Sequence, residues 1–145
     1  MDRQTAETAD SGNAGASAGS SAGSSAASPT VTLGRYGEQM AARYLQEQGV
    51  QILERNWRCE LGEIDIIALD GSCLVVCEVK TRRSTSFGPP VAQITVAKLA
   101  RLRRLSAAWL AVHDVRVAQV RIDVIGVLRP RRGACQVHHL VSVSS

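Results

Sequence analysis

Gly62-Glu63-Ile64-Asp65-Ile66-Ile67-Ala68-Leu69-Asp70-Gly71-Ser72-Cys73-Leu74-Val75-Val76-Cys77-Glu78-Val79-Lys80-Thr81 is the stretch that decides the fold. Two runs rich in Ile and Val, 62–69 and 73–81, flank a short polar break, the pattern of a β-hairpin. With Gly71 and Ser72 at the centre of a type II′ turn, glycine supplies the positive φ that the turn requires, and Asp70 pairs with Cys73. Counting back along the ladder, Asp65 faces Glu78 and Glu63 faces Lys80. Side chains alternate with a period of two, so residues 63, 65, 78 and 80 share one face, while Ile64, Ile66 and Val79 take the other. A turn over Asp70-Gly71 slips the pairing yet leaves the charged set together; a bulge or a three-residue loop would not.

Three carboxylates and one ammonium on a single patch of sheet need an explanation. One is a solvated ladder of ion pairs in which Lys80 neutralises Glu63 and Glu78, an arrangement worth little energy. The other starts from Leu74, Val75 and Val76, which are apolar at both parities, as in a central strand buried on both faces until Glu78 appears. Like charges opposite one another destabilise a sheet, and crowded carboxylates raise one another's pKa unless a cation lies between them. Oxygen ligands without imidazole suit Mg²⁺ or Mn²⁺, which keep several waters and complete their shell with substrate phosphate. Phosphodiester chemistry follows. Asp65 and Glu78 are the expected metal ligands, and Lys80 is expected to position the attacking water or stabilise charge developing on phosphorus.

Outward from the hairpin, residues 34–49 have helical periodicity with Ala41, Tyr44, Leu45 and Gln48 near one stripe and Gly49 as the stop. Glu38 projects along that inward face and is read either as a helix-start acid that favours the dipole or, if the face covers this end of the sheet, as part of the outer shell of the metal. An extended segment follows at 50–57. Segment 82–90 reads as loop, and a helix runs over 95–112. Leu99, Leu102, Leu105, Trp109 and Val112 form its core stripe; Lys98, Arg101 and Arg104, with Arg103 beside them, form a basic face suited either to solvent or to tracking phosphates. Strands are expected at 117–128 and, more weakly, at 136–143. This order of elements predicts an α/β sandwich on a mixed sheet flanked by helices.

The 145 residues are one domain's worth of chain. Residues 8–28 hold 18 Ala, Gly and Ser out of 21, too little apolar surface to offset the entropy of ordering, so 1–33 is expected to be a disordered tail and 34–145 the folded domain. That domain carries 16 basic and 10 acidic residues, a balance that favours a polyanionic partner. The four cysteines contain no C-x-x-C pair, which argues against zinc. Cys135, His138 and His139 are read as a small apolar thiol and surface imidazoles. Free thiols and the lack of a membrane-length apolar run or signal-peptide pattern lead to the expectation of a cytoplasmic protein with no membrane partner.

Asp65, twelve residues, then Glu78-Val79-Lys80 resembles the (P)D…(D/E)-x-K signature of restriction-endonuclease-like nucleases. The wider pattern resembles the YraN family of bacterial proteins, through Gly34, Gly37-Glu38, Asn56, Arg58, Gly62-Glu63-Ile64-Asp65, Glu78-Val79-Lys80, Arg82, Phe87-Gly88, Pro90, Lys98 and Asp123-Val124-Ile125. Ile64 replaces the proline of the nominal signature, and Ala92 stands where many relatives carry an acid. The resemblance implies a restriction-endonuclease-like α/β sandwich related to archaeal Holliday junction resolvases, with Glu38, Asp65, Glu78 and Lys80 in the metal and catalytic positions. The expected activity is a Mg²⁺- or Mn²⁺-dependent endonuclease acting on structured or branched DNA as a homodimer, with Arg82, Arg83, Lys98, Arg101 and Arg104 on phosphates. The alternative is a non-catalytic nucleic-acid-binding or assembly module in DNA repair or recombination, since a fold of this kind does not by itself fix activity.

Overall fold

A computed structural model describes residues 28–84 and 94–143. The hairpin forms as its turn chemistry dictates: β2 (Gly62–Asp70) and β3 (Cys73–Arg82) pair antiparallel from Asp70↔Cys73 to Ile66↔Cys77. Gly71 has φ +58° and is the only one of the two central turn residues in the left-handed region, as a type II′ turn requires. The other elements are α1 (Pro29–Glu47), β1 (Gln51–Cys59), α2 (Val96–Val112), β4 (Gln119–Leu128) and β5 (Gln136–Leu140). Strand order in the sheet is β1-β2-β3-β4-β5. Only β3 and β4 are parallel, joined through α2, so the sheet is mixed and β3 is its centre.

Each face of the sheet carries one helix. Ala41, Ala42 and Leu45 of α1 pack with Ile66, Ala68, Val75, Cys77, Ile125 and Val127. Leu99, Leu102, Leu105 and Trp109 of α2 pack on the opposite face with Ile64, Ile67, Leu74, Val76 and Ile122. The continuous apolar run at 74–77 is thereby explained: alternate residues serve different cores. The architecture is α/β with a five-stranded mixed sheet and two helices, consistent with a restriction-endonuclease-like fold.

One expected boundary and one expected core residue change. The first helix begins at Pro29, five residues before Gly34, and takes in residues 29–33. Ser28 caps it, its Oγ accepting from Val31 N–H at 3.3 Å, and Pro29 stands at the first helical position, where its missing N–H costs nothing. Val112, expected in the core stripe of the second helix, is 70% exposed because it occupies the last helical position, beyond the reach of the sheet. The rest of the expected tail, residues 1–27, and the 85–93 segment with Phe87, Gly88, Pro90 and Ala92 lie outside the described residues.

Candidate active site

Beyond Ile66↔Cys77 the ladder between β2 and β3 stops. On the other side of β2, pairing with β1 passes over Asn56 and Asp65, and Asn56 has φ +55°. At this interruption a side chain replaces a backbone partner: Asp65 Oδ2 accepts the Val79 N–H at 2.8 Å. The alternation along β2 also breaks here. Ile64 and Ile67, three apart, both pack under α2, whereas Ile66 packs under α1 with Val79 beside its cluster. The expectation that Ile64 shares a side with Ile66 and Val79 is therefore corrected, and the cause is the irregularity at Asn56 and Asp65.

Strand β3 keeps its period, so Glu78 and Lys80 continue the side of Leu74 and Val76. The Glu78 side chain is only 7% exposed, and its Oε1 lies 3.3 Å from Lys80 Nζ and 3.4 Å from Lys98 Nζ of α2. Glu63 does not meet Lys80. With the strands no longer laddered there, it pairs instead with Arg58 of β1 at 3.4 Å, near solvent. Glu38 is half-buried on α1, where its charge acts on Asp65. Gly37 sets the depth of that helix: a Cβ there would collide with Thr81 Oγ1 of β3, so only glycine permits so close an approach.

These placements leave Asp65 short of positive charge. Burial pushes its pKa up to about 7; Glu78 adds to the rise, the Val79 N–H opposes it, and Glu38 and Glu63 contribute smaller increments. Among the described residues, no group of three or more His, Cys, Asp and Glu side chains is gathered closely enough to hold an ion. Asp65 and Glu78 nevertheless fit Mg²⁺ or Mn²⁺, because such ions take one or two carboxylates and fill the remaining positions with water and substrate phosphate. The raised Asp65 carboxyl is what a dication would relieve.

The expected phosphate-binding residues fall into two groups. Lys98 lies in the carboxylate cluster itself, and the Arg101 stem runs close to Gly62 at the start of β2. Arg104 and Arg83 are exposed, and Arg82 is half-exposed at the end of β3, its Nη1 donating to the Thr81 carbonyl at 2.9 Å.

A second ionic cluster was not anticipated from the sequence. Asp123, fully buried on β4 opposite Cys77, accepts from Arg121 Nε at 3.1 Å and from Ser142 N–H at 2.9 Å, and lies 2.7 Å from His139 Nε2. Arg121 also reaches Asp70 at 3.1 Å, and Tyr44 Oη is 3.3 Å from His139 Nδ1. Burial works to raise the Asp123 pKa, but the bonds from His139, Ser142 and Arg121 outweigh it and hold the carboxyl below its ordinary value. The reading of His139 as a surface imidazole is thus corrected: it pins β5 to α1 and β4. The available signal was an aspartate inside the apolar run Ile122-Asp123-Val124-Ile125.

Residues 37–127 match the model of the uncharacterised protein family UPF0102. The chain is 55% identical to a UPF0102 protein of Beutenbergia cavernae, over 77% of this chain and 94% of that one. Its identity to a UPF0102 protein of Streptomyces griseus is 56%, over 77% and 95% of the two chains. The chain belongs to the UPF0102 family. The UPF0102 match spans Gly37, Glu38, Asp65, Glu78, Lys80 and Lys98, and so the whole carboxylate cluster. It ends at Val127, before the β5 residue His139. No helix among the described residues of this UPF0102 protein is long and apolar enough to cross a membrane.

Proposed function

We propose that this UPF0102 protein is a metal-dependent endonuclease that hydrolyses phosphodiester bonds in structured or branched DNA. The observation that carries the reading is the meeting, at the broken end of the β2–β3 ladder, of a carboxyl pushed up to about 7 with a buried glutamate and two lysines. Solvated ion-pair ladders do not produce such a shift, because water screens them. A bound Mg²⁺ or Mn²⁺ would supply Lewis-acid polarisation of a phosphoryl oxygen. Asp65 and Glu78 would hold that ion, with Glu38 in the outer shell. Lys80, kept beside Glu78, offers its ammonium to the negative charge that builds on the phosphate oxygens in the transition state. The exposed Arg83 and Arg104, with Arg82 and Arg101, offer contacts to flanking phosphates, which favours an extended polyanion over a mononucleotide.

The test is cleavage of linear, flapped and four-way DNA in Mg²⁺ or Mn²⁺ by the wild type, Asp65→Asn, Glu78→Gln and Lys80→Ala. The expected result is metal-dependent cutting that each substitution reduces about 100-fold or more, with DNA binding retained. Unchanged cutting by Asp65→Asn or Glu78→Gln contradicts the assignment. The exposed arginines favour a second reading, a binding module without turnover, since they need no carboxylates to act. Salt-sensitive DNA binding with no product in either metal selects it.

A further inference from the structure

We propose that Lys98 is a latch on the metal site: in the absence of metal its ammonium compensates Glu78, and entry of a divalent cation releases it toward the substrate phosphate. This inference rests on the metal-dependent reading above and adds an order of events to it. Lys98 occupies an adverse place in its own helix. Thr95 is the N-cap of α2, its Oγ1 accepting from Lys98 N–H at 3.0 Å, which makes Lys98 the third helical residue. A capping box places Glu or Gln there, and the positive end of the helix disfavours a cation in the first turn. No acidic residue stands in that turn to offset it. What offsets it is Glu78, 3.4 Å away and nearly buried, and a local rule broken beside a candidate site marks a functional constraint more often than a structural one.

Charge balance then dictates what Lys98 does. Both ammonium groups of the cluster are spent on Glu78, Lys80 at 3.3 Å and Lys98 at 3.4 Å, while Glu63 is taken by Arg58. A dication entering beside Glu78 would meet two ammonium groups already there and compete directly for the Glu78 oxygen that Lys98 contacts. Of the two lysines, Lys98 has the more exposed side chain, 31% against 25% for Lys80, and it stands on the helix rather than the central strand. It is therefore the one that can swing out. Once free, its ammonium lies with the positive end of α2 and can meet a phosphate, so metal and DNA should bind cooperatively. Lys98 thus acts on metal affinity through Glu78 and on DNA affinity through the phosphate it meets once released.

The experiment uses the purified full chain. Mn²⁺ affinity is measured by calorimetry for the wild type, Lys98→Gln, Lys98→Arg and Glu78→Gln, and four-way DNA affinity is measured with and without Ca²⁺. Gln at this helix position suits the capping box, so Lys98→Gln should melt at or above the wild-type temperature. Lys98→Gln is expected to bind Mn²⁺ about three- to five-fold more tightly than the wild type, the scale of one partly exposed ion pair, with Lys98→Arg near the wild type. Ca²⁺ should raise the DNA affinity of the wild type about tenfold and that of Lys98→Gln no more than about threefold. Wild type that binds Mn²⁺ through Glu78 while Lys98→Gln binds it no tighter, or gains as much from Ca²⁺, overturns the latch alone. Loss of Mn²⁺ binding in the wild type and in Lys98→Gln alike overturns the metal reading and the latch together.

Discussion

Asp65, half-buried, and Asp123, fully buried, lie within one residue of the same level of the sheet, since Asp123 faces Cys77, Cys77 faces Ile66, and Asp65 is the next residue. Their surroundings are opposite. Asp123 receives bonds from a guanidinium and a backbone N–H, lies against an imidazole, and is held below its ordinary pKa. Asp65 receives one backbone N–H, faces three other carboxylates and is pushed up to about 7. A carboxylate whose charge is fully answered by the protein holds strands together. One left unanswered is available to a cation from outside, at a cost in stability that the rest of the core must carry.

The largest effect should come from removing the satisfied group. Asp123→Ala leaves Arg121 and His139 without their buried partner and is expected to cost about 3–5 kcal/mol, read as a drop in urea midpoint. Gly37→Ala comes next: a methyl against Thr81 lifts α1 from β3, and a loss of about 1–3 kcal/mol is expected in the same titration.

Asp65→Asn should act in the other direction. A carboxyl whose folded pKa lies above its unfolded value contributes stability below the unfolded pKa, and that contribution is lost as pH rises through about 7. Substitution by the neutral amide should thus change nothing near pH 4 and stabilise by about 1–3 kcal/mol at pH 8, while abolishing cleavage. Asp123 has the reverse dependence: its lowered pKa gives stability above the unfolded value that is lost as pH falls through the folded one. Melting curves from pH 4 to 8 separate the two. The smallest effect is expected for Arg104→Ala, which should alter stability by less than about 0.5 kcal/mol and reduce the salt slope of DNA binding by about one.

Most of the hairpin was legible, because a two-residue turn at Gly71-Ser72 fixes register and the alternation of charge along 63, 65, 78 and 80 gives a face. What failed is instructive. Ile64 and Glu63 were misplaced because the alternation of β2 breaks at Asp65, and nothing in an Ile-Asp-Ile sequence announces a side chain that takes over a ladder bond. The start of α1 was hidden by a composition of Ala, Gly and Ser that outweighed the Ser28-Pro29 cap. Lys98 fell on the basic face by periodicity; that it reaches Glu78 depends on how α2 crosses the sheet, which no local pattern encodes. Asp123 stood out in its apolar strand, but its partner His139 is 16 residues away on another strand.

A carboxyl that awaits a cation is the role proposed for Asp65, and ¹³C NMR titration of the aspartate carboxyl carbons, with and without Mg²⁺, reads this directly. Without Mg²⁺ the Asp65 resonance should titrate near pH 7, and with Mg²⁺ its midpoint should fall to or below the ordinary carboxylate range. An Asp65 resonance that titrates in the ordinary range and does not respond to Mg²⁺ contradicts the account.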